Sequence, residues 1–309
     1  DNILPLDKSK RYAIVGEFAE TPRYQGGGSS HITPTRITSM LDVCKMEELR
    51  FTYSKGYDVN SDKANYILIK EAVEKVRQAD TAIVFIGLTD VYEYEGVDRK
   101  NLNLPQSHLK LLEEVKKVTE NIVVVLCSGS AVNMEWDNKA KGILYASVMG
   151  QAGGKAIYNI LFGYMNPSGK LSETFPLRVE DTPSYENFPG GNNAVYYMEG
   201  VYVGYRYYNS FRIPVKYPFG FGMSYTSFKY SDMELDKNVI KAGGSINIKV
   251  KVKNTGNTYG GEVVQIYIKN MIKYKIQPEI ILKNFKKIYL NPLEEKEVSF
   301  KINYEDFTY

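Results

Sequence analysis

Short apolar runs alternate with amphipathic stretches over the first 180 residues of the chain. The amphipathic stretches repeat apolar residues every three or four positions, which predicts helices. The apolar runs are typical of strands in a parallel sheet that is covered on both faces. The predicted strands are 12–16, 81–87 and 122–127, and the predicted helices are 65–78, one beginning near Pro105, and one from about 151 to 162. Since strand–helix–strand connections are nearly always right-handed, residues 1–180 should form a layered α/β sandwich with a mostly parallel sheet.

The pattern changes after Pro176. Residues 181–225 are rich in Tyr, Pro, Gly and Asn without a clear period, so we expect an extended linker packed on a surface. From about residue 227 the chain alternates in twos, and one face carries Ile246, Ile248, Val250 and Val252. Residues 226–309 should therefore form a small β-sandwich. Its last strand or two would be missing, because about 80 residues fall short of the roughly 100 typical of such a domain.

Composition and charge narrow the function classes. The 39 basic and 36 acidic residues are mixed along the chain, which points to neither nucleic acid nor an anionic membrane. Of the two cysteines, Cys127 lies in a predicted buried strand, so a disulfide framework is not expected. No apolar stretch has the roughly 18 residues needed to cross a bilayer, and no signal segment opens the chain. We therefore expect a cytoplasmic protein, although the chain begins at Asp1 and its native start could lie upstream.

Two loops are candidate functional sites, because ligands of parallel α/β sheets bind beyond the carboxyl ends of the strands. The loop after the first predicted strand holds Gly26, Gly27 and Gly28, followed by Ser29 and Ser30. Glycines permit positive φ angles and a close approach of the backbone to a bound group. Neither phosphate-loop pattern can be written over this segment, which argues against a nucleotide site. The alternative is a flexible surface loop.

The loop after the second predicted strand is acidic. It places four carboxylates in nine positions, with tyrosines between them: Asp90, Glu93, Glu95 and Asp98. Like charges and partial burial can raise the pKa of one such carboxyl group, as a general acid near neutral pH requires. The alternative is a solvated acidic loop with a salt bridge from Arg99.

Other chemistries fit less well. His31 and His108 are the two histidines, and no cluster has the spacing of a zinc site. The segment Ser128-Gly129-Ser130 lacks the pattern of a nucleophile elbow and is better explained as a tight turn after a strand. We expect neither a metal nor a cofactor.

Several motifs together resemble glycoside hydrolase family 3. Glu93-Tyr94-Glu95-Gly96-Val97-Asp98-Arg99, followed by Leu102-Asn103-Leu104-Pro105, is similar to the acid/base loop of its β-glucosidases, commonly E-x-E-G-[YF]-D-R-x-x-[LM]-x-L-P, in which Glu95 matches the acid/base. Residues 24–34 resemble the loop Q-G-G-G-S-S-H-[IN]-x-P, whose serine reaches the sugar in some members; Gly28 and Ser29 occupy its substrate-binding positions. Further landmarks are 151–154, 166–171, 202–208 and 217–226, and a fibronectin type III-like module is indicated by 254–256 and 262–265.

The resemblance implies a three-part retaining enzyme. A barrel carries the nucleophilic aspartate, the α/β sandwich carries the acid/base, and the fibronectin-like module follows. Nothing in this sequence resembles the nucleophile segment S-D-W or T-D-W, because Trp136 lies in Glu135-Trp136-Asp137. The barrel would therefore have to be supplied in cis or in trans, and this chain alone would be inactive.

The implied reaction is hydrolysis of terminal, non-reducing β-D-glucosyl residues from a β-glucoside or a short β-gluco-oligosaccharide. Glu93 is the rival of Glu95 for the acid/base role, and Asp98 with Arg99 would clamp the loop internally. Two alternatives stay open: a β-xylosidase-type relative, and a non-catalytic carbohydrate-associated module. Assembly into a homo-oligomer also stays open.

Overall fold

The computed structural model of this protein describes residues 3–271 and 277–307. The chain divides into two compact units, 1–165 and 166–309. This division lies earlier than the predicted boundary at residue 180. The reason is visible at Asn166, whose amide donates to the carbonyl of Tyr259 (3.0 Å) and accepts from the hydroxyl of Ser224 and the backbone N–H of Tyr225 (both 2.9 Å), all within the second unit.

The first unit is built on a five-stranded parallel sheet with the strand order β2-β1-β3-β4-β5. The helices pack in two pairs, α1 with α4 and α2 with α3. This arrangement confirms the predicted α/β sandwich. The strands are β1 (Tyr12–Val15), β2 (Phe51–Ser54), β3 (Thr81–Gly87), β4 (Ile122–Cys127) and β5 (Gly142–Tyr145); the helices are α1 (Met40–Met46), α2 (Tyr66–Arg77), α3 (Gln106–Lys116) and α4 (Gly153–Leu161).

The centre of this sheet explains its sequence pattern. Every residue of β3 and of β4 is buried, which is why these strands read as continuous apolar runs. Helix α3 places His108 against the end of β3, where Nδ1 accepts a hydrogen bond from the backbone N–H of Gly87 (3.2 Å). The imidazole also packs on Tyr57, with a ring-centroid distance of 3.7 Å. Burial lowers the pKa of His108 to about 3, so the ring is neutral and structural.

The second unit is mainly antiparallel β-structure. Its larger sheets have the orders β12-β9-β8 and β10-β11, and their apolar sides share one core made of Val250, Val252, Val264, Leu290, Val298 and Phe300. The predicted fibronectin type III-like β-region is confirmed. The elements are β6 (Phe175–Pro176), α5 (Tyr205–Phe211), β7 (Val215–Tyr217), β8 (Phe228–Leu235), β9 (Ser245–Asn254), β10 (Gly260–Lys269), β11 (Ile280–Leu290) and β12 (Glu295–Asn303).

The segment 181–225, predicted as an extended linker, contains regular structure. Helix α5 and strand β7 lie within it, and β7 pairs with β6. From residue 181 to the start of helix α5 the chain consists mostly of turns and bends. Across the described parts of both units, no helix has the length and apolar character needed to cross a bilayer.

Candidate functional site

The strand order brings the two suspected loops together. In the order β2-β1-β3-β4-β5 the strand order reverses between β1 and β3, and such a switch point opens a crevice at the carboxyl ends of the strands. The glycine-rich loop follows β1 and the acidic loop follows β3. The turn Ser128-Gly129-Ser130 follows β4 on the other side of β3. The acidic loop is therefore flanked by the other two.

Glu95 lies at the tip of a tight turn in the acidic loop. The backbone N–H of Val97 donates to the carbonyl of Tyr94 at 3.2 Å, which closes a four-residue turn with Glu95 and Gly96 at its centre. Gly96 has a φ of 81°, as a type II turn requires at that position. The side chain of Glu95 is exposed.

The glycine-rich loop contacts Glu95 directly. The backbone N–H of Ser29 donates to Oε2 of Glu95 at 2.6 Å. Gly28 has a φ of +94°, and a Cβ atom added there would lie 2.4 Å from Cβ of Glu95 and 2.8 Å from its Oε2. Only glycine permits both this backbone conformation and this approach. The structure thus places the three sequence-predicted site residues, Gly28, Ser29 and Glu95, side by side.

The pKa of Glu95 is lowered, whereas the sequence indicated a raised pKa for one of the four carboxyl groups of the acidic loop. Hydrogen bonds from the side chain and the backbone of Ser29 lower the pKa of Glu95 below its ordinary value. Burial and like charges would raise the pKa of a carboxyl group, but Glu95 is exposed and accepts hydrogen bonds that favour its charged form. In this arrangement Glu95 is a carboxylate.

Glu93 occupies a different environment from Glu95. Its side chain is only 13% exposed. Oε2 accepts from the backbone N–H of Gly129 at 2.8 Å, and Oε1 accepts from the hydroxyl of Ser130. The guanidinium groups of Arg23 and Arg99 lie 3.3 and 4.0 Å from its oxygens. Glu93 is therefore enclosed by donors and cations, and its geometry does not suit a proton donor to a substrate.

Arg99 holds the end of the acidic loop against the loop after β4. Its Nη1 atom donates to the hydroxyl of Ser130 (2.6 Å) and to the carbonyl of Ala131 (3.1 Å). Arg99 was expected to clamp the loop together with Asp98. The contacts described run to Glu93 and to residues that follow β4, and the clamp by Asp98 stays a prediction.

Sequence reasoning missed Arg23, which is part of this site. Its side chain is 3% exposed and donates to the carbonyls of Leu88 and Glu93, while Nε lies 3.6 Å from the carboxylate of Asp90. A buried arginine needs such partners. A signal was available, because Arg23 immediately precedes the glycine-rich loop and faces a loop with four carboxylates.

Neither cysteine forms a disulfide, since Cys44 and Cys127 are both free and buried. Within residues 3–271 and 277–307 there is no group of three His, Cys, Asp or Glu side chains that could hold a metal ion. The polar groups that the described residues bring to this edge of the sheet are carboxylates, guanidinium groups, hydroxyls and backbone amides.

The first unit is thus a parallel α/β sandwich with a carboxylate turn at its switch point, and a fibronectin-like β-region follows it in the chain. The family described as glycosyl hydrolase family 3 C-terminal domain matches residues 1–225, and the fibronectin type III-like domain matches residues 262–309. The chain belongs to glycoside hydrolase family 3.

Relatives and solved structures agree with this assignment. The chain is 46% identical to thermostable beta-glucosidase B of Acetivibrio thermocellus, over 100% of this chain and 41% of that protein. It is 39% identical to exo-alpha-(1->6)-L-arabinopyranosidase of Bifidobacterium breve, over 100% of this chain and 42% of that protein. The crystal structure of a GH3 beta-glucosidase of Bifidobacterium adolescentis is similar with a TM-score of 0.95 at 40% identity, over 100% of this chain and 45% of that one. The chain thus spans less than half of the length of these relatives.

Proposed function

We propose that this chain supplies the general acid/base, Glu95, of a retaining β-glycosidase whose nucleophilic aspartate lies on a barrel domain outside these residues. The observation that carries the proposal is the contrast between the two glutamates of the acidic loop. Glu93 is enclosed by two arginines, whereas Glu95 is exposed at the tip of a turn, at the switch point of the sheet. An exposed carboxyl group at that point is accessible to a bound sugar.

The mechanism needs two carboxyl groups about 5 to 5.5 Å apart, one on each side of the scissile bond. The nucleophile attacks the anomeric carbon while Glu95 protonates the leaving oxygen, and Glu95 then removes a proton from the water that hydrolyses the glycosyl-enzyme. Ser29 and Gly28 border Glu95. A sugar whose glycosidic oxygen reaches Glu95 would therefore present its hydroxyl groups to the glycine-rich loop, where Ser29 can hydrogen bond to them.

The proposed substrate is a β-glucoside or a short β-gluco-oligosaccharide cleaved at its non-reducing end. The name of the Acetivibrio relative supports this choice, while the Bifidobacterium breve relative is named for an arabinopyranoside. Both relatives match the whole of this chain, and the choice of a glucoside follows the relative with the higher identity, 46% against 39%.

The test joins this chain to its barrel, covalently or as a second subunit, and measures hydrolysis of aryl β-glucosides. Glu95→Ala should lower the rate about 10²- to 10⁴-fold, the usual contribution of general acid–base catalysis, which is roughly 3 to 5 kcal/mol of barrier. The loss should be smaller in the glycosylation step with a dinitrophenolate leaving group, which needs little protonation. Azide should restore breakdown of the glycosyl-enzyme, because azide attacks without a general base.

The matched control is Asp90→Asn, which removes a neighbouring carboxylate that is 59% exposed. It should stay close to wild type. Two results would contradict the proposal: wild-type rates in Glu95→Ala, or turnover by the purified 309-residue chain alone. The second result would mean that a nucleophile lies within these residues, and activity without Glu95 would favour the alternative of a non-catalytic module.

A further inference from the structure

Glu93 is the point at which three loops meet. Its carboxylate binds Arg23 from the loop after β1, the Gly129 amide and the Ser130 hydroxyl from the loop after β4, and Arg99 from its own loop. The carbonyl oxygen of Glu93 also accepts from Nη2 of Arg23 at 3.4 Å. Backbone and side chain of this one residue are therefore held from both sides.

Next to Glu93, consecutive residues of the glycine-rich loop pack against consecutive residues of the acidic loop. A Cβ atom added to Gly27 would lie 2.7 Å from the ring of Tyr94 and 2.9 Å from the carbonyl of Glu93. The next residue, Gly28, packs on Glu95 in the same way, and Ser29 then donates to its carboxylate. Since Glu93 and Glu95 are separated by Tyr94 alone, an anchor at Glu93 limits where the carboxylate of Glu95 can lie.

We propose that Glu93 is a positioning residue, anchored by Arg23, that holds the turn 94–97 so that the carboxylate of Glu95 meets Ser29. The claim about position concerns this chain alone, and only its kinetic consequence rests on the proposed function. A charged partner is needed because Arg23 is 3% exposed, and a buried cation that loses its partner is strongly destabilising. Glu93→Gln is the suitable change, since the amide keeps the shape of the side chain and removes its charge.

The amide proton of Ser29 reports the position of Glu95 directly. Its ¹H shift can be measured near pH 7 in the full 309-residue chain labelled with ¹⁵N-serine. A hydrogen bond to a carboxylate moves this shift downfield, and Glu95→Gln gives the reference value without the charged acceptor. Glu93→Gln should move the shift at least half of the way from the wild-type value to that reference. Asp90→Asn removes the other carboxylate paired with Arg23 and should leave the shift unchanged.

A wild-type shift in folded Glu93→Gln would overturn the proposal. If Glu93→Gln does not fold, as judged by the fluorescence of Trp136, then Ser130→Ala decides the question. This variant removes one of the donors to Glu93 and one acceptor of Arg99, and it leaves the ion pair between Arg23 and Glu93 intact. It should move the shift in the same direction by a smaller amount, and an unchanged shift would also overturn the proposal.

A double-mutant cycle of Glu93→Gln and Glu95→Ala, measured by the kinetics of the barrel-containing enzyme, separates positioning of Glu95 from a general structural role. With a poor leaving group, Glu93→Gln should lower kcat about tenfold or more, and it should have no further effect in the Glu95→Ala background. An equal loss in both backgrounds would show that Glu93 acts independently of Glu95, against the proposal. If Glu95→Ala has no effect by itself, the proposed function fails, while the amide-shift result still decides the positioning claim.

Discussion

The buried imidazole of His108 should make the first unit lose stability in mild acid. The ring is fully buried between Tyr57 and Phe18, and its Nδ1 atom accepts the backbone N–H of Gly87. Protonation would replace this acceptor by a donor that faces the N–H of Gly87, and it would place a charge in an apolar site. Burial accordingly lowers the pKa of His108 from 6.5 to about 3.

The magnitude follows from proton linkage. Between pH 6.5 and 3 the unfolded chain binds a proton at this histidine and the folded chain does not, so the free energy of unfolding falls as the pH falls. Each pH unit in this window changes the free energy of unfolding by about 1.4 kcal/mol. From pH 7 to pH 5 the loss should therefore be about 2 kcal/mol. Most carboxylates are still ionised at pH 5, so this interval isolates the histidine from acid titration of Asp and Glu.

The assay is urea unfolding of the chain at pH 7 and pH 5, followed by the fluorescence of Trp136 excited at 295 nm. Trp136 is the single tryptophan of the sequence and is buried in the first unit, so its signal reports that unit. His108→Gln is the matched variant, since its amide oxygen can still accept from Gly87 without titrating. The variant should lose the difference between the two pH values. A wild-type protein equally stable at both values, or a difference that persists in His108→Gln, would refute the reasoning.

Three further predictions concern the loops and the segment 181–225. Gly28→Ala should displace Glu95, because the added Cβ would overlap its side chain; a ¹⁵N spectrum with an unmoved Ser29 amide would contradict this. Ser29→Ala should raise the barrier to glucoside cleavage by about 1 to 3 kcal/mol through a lost hydrogen bond to the sugar, and unchanged kcat/KM would leave the serine structural. Brief chymotrypsin digestion should cut first at Tyr197, which is 82% exposed, and mass spectrometry identifies the early fragments. Early cleavage within 81–127 would contradict a stable central sheet there.

The sheet was predictable where burial is complete and not where it is partial. Strands β3 and β4 are buried along their whole length, so the sequence there shows a continuous apolar run. Strands β2 and β5 lie at the two edges of the sheet, have four residues each and are only partly buried, and they were not predicted. Helix α1 was missed as well, because its seven residues are too few to show a period.

The candidate site, like the sheet, was predictable from the sequence only in part. The contact between Ser29 and Glu95 follows from the strand order, because β1 and β3 are neighbours. That the two loops lie close together could be anticipated once both were assigned to strand ends. The position of Arg23 next to the glycine-rich loop indicated that it could belong to the site, but its burial could not be anticipated. Nothing in a sequence distinguishes an arginine inside a loop cluster from one on the surface. The pKa of Glu95 could not be anticipated for a related reason. Its direction depends on which glutamate receives the cations and which receives the Ser29 amide.

The lowered pKa of Glu95 bears on how a retaining enzyme would use this site. The same carboxyl group must be protonated when it assists the leaving group and ionised when it activates water. The hydrogen bonds from Ser29 favour the ionised form, which suits the second step. The first step needs a higher pKa, and two changes would raise it: removal of water by a covering surface, and transfer of the Ser29 donors from Glu95 to a sugar hydroxyl. Both changes would occur together when a glycoside binds between Glu95 and a barrel, so the acid form would arise only in the covered site.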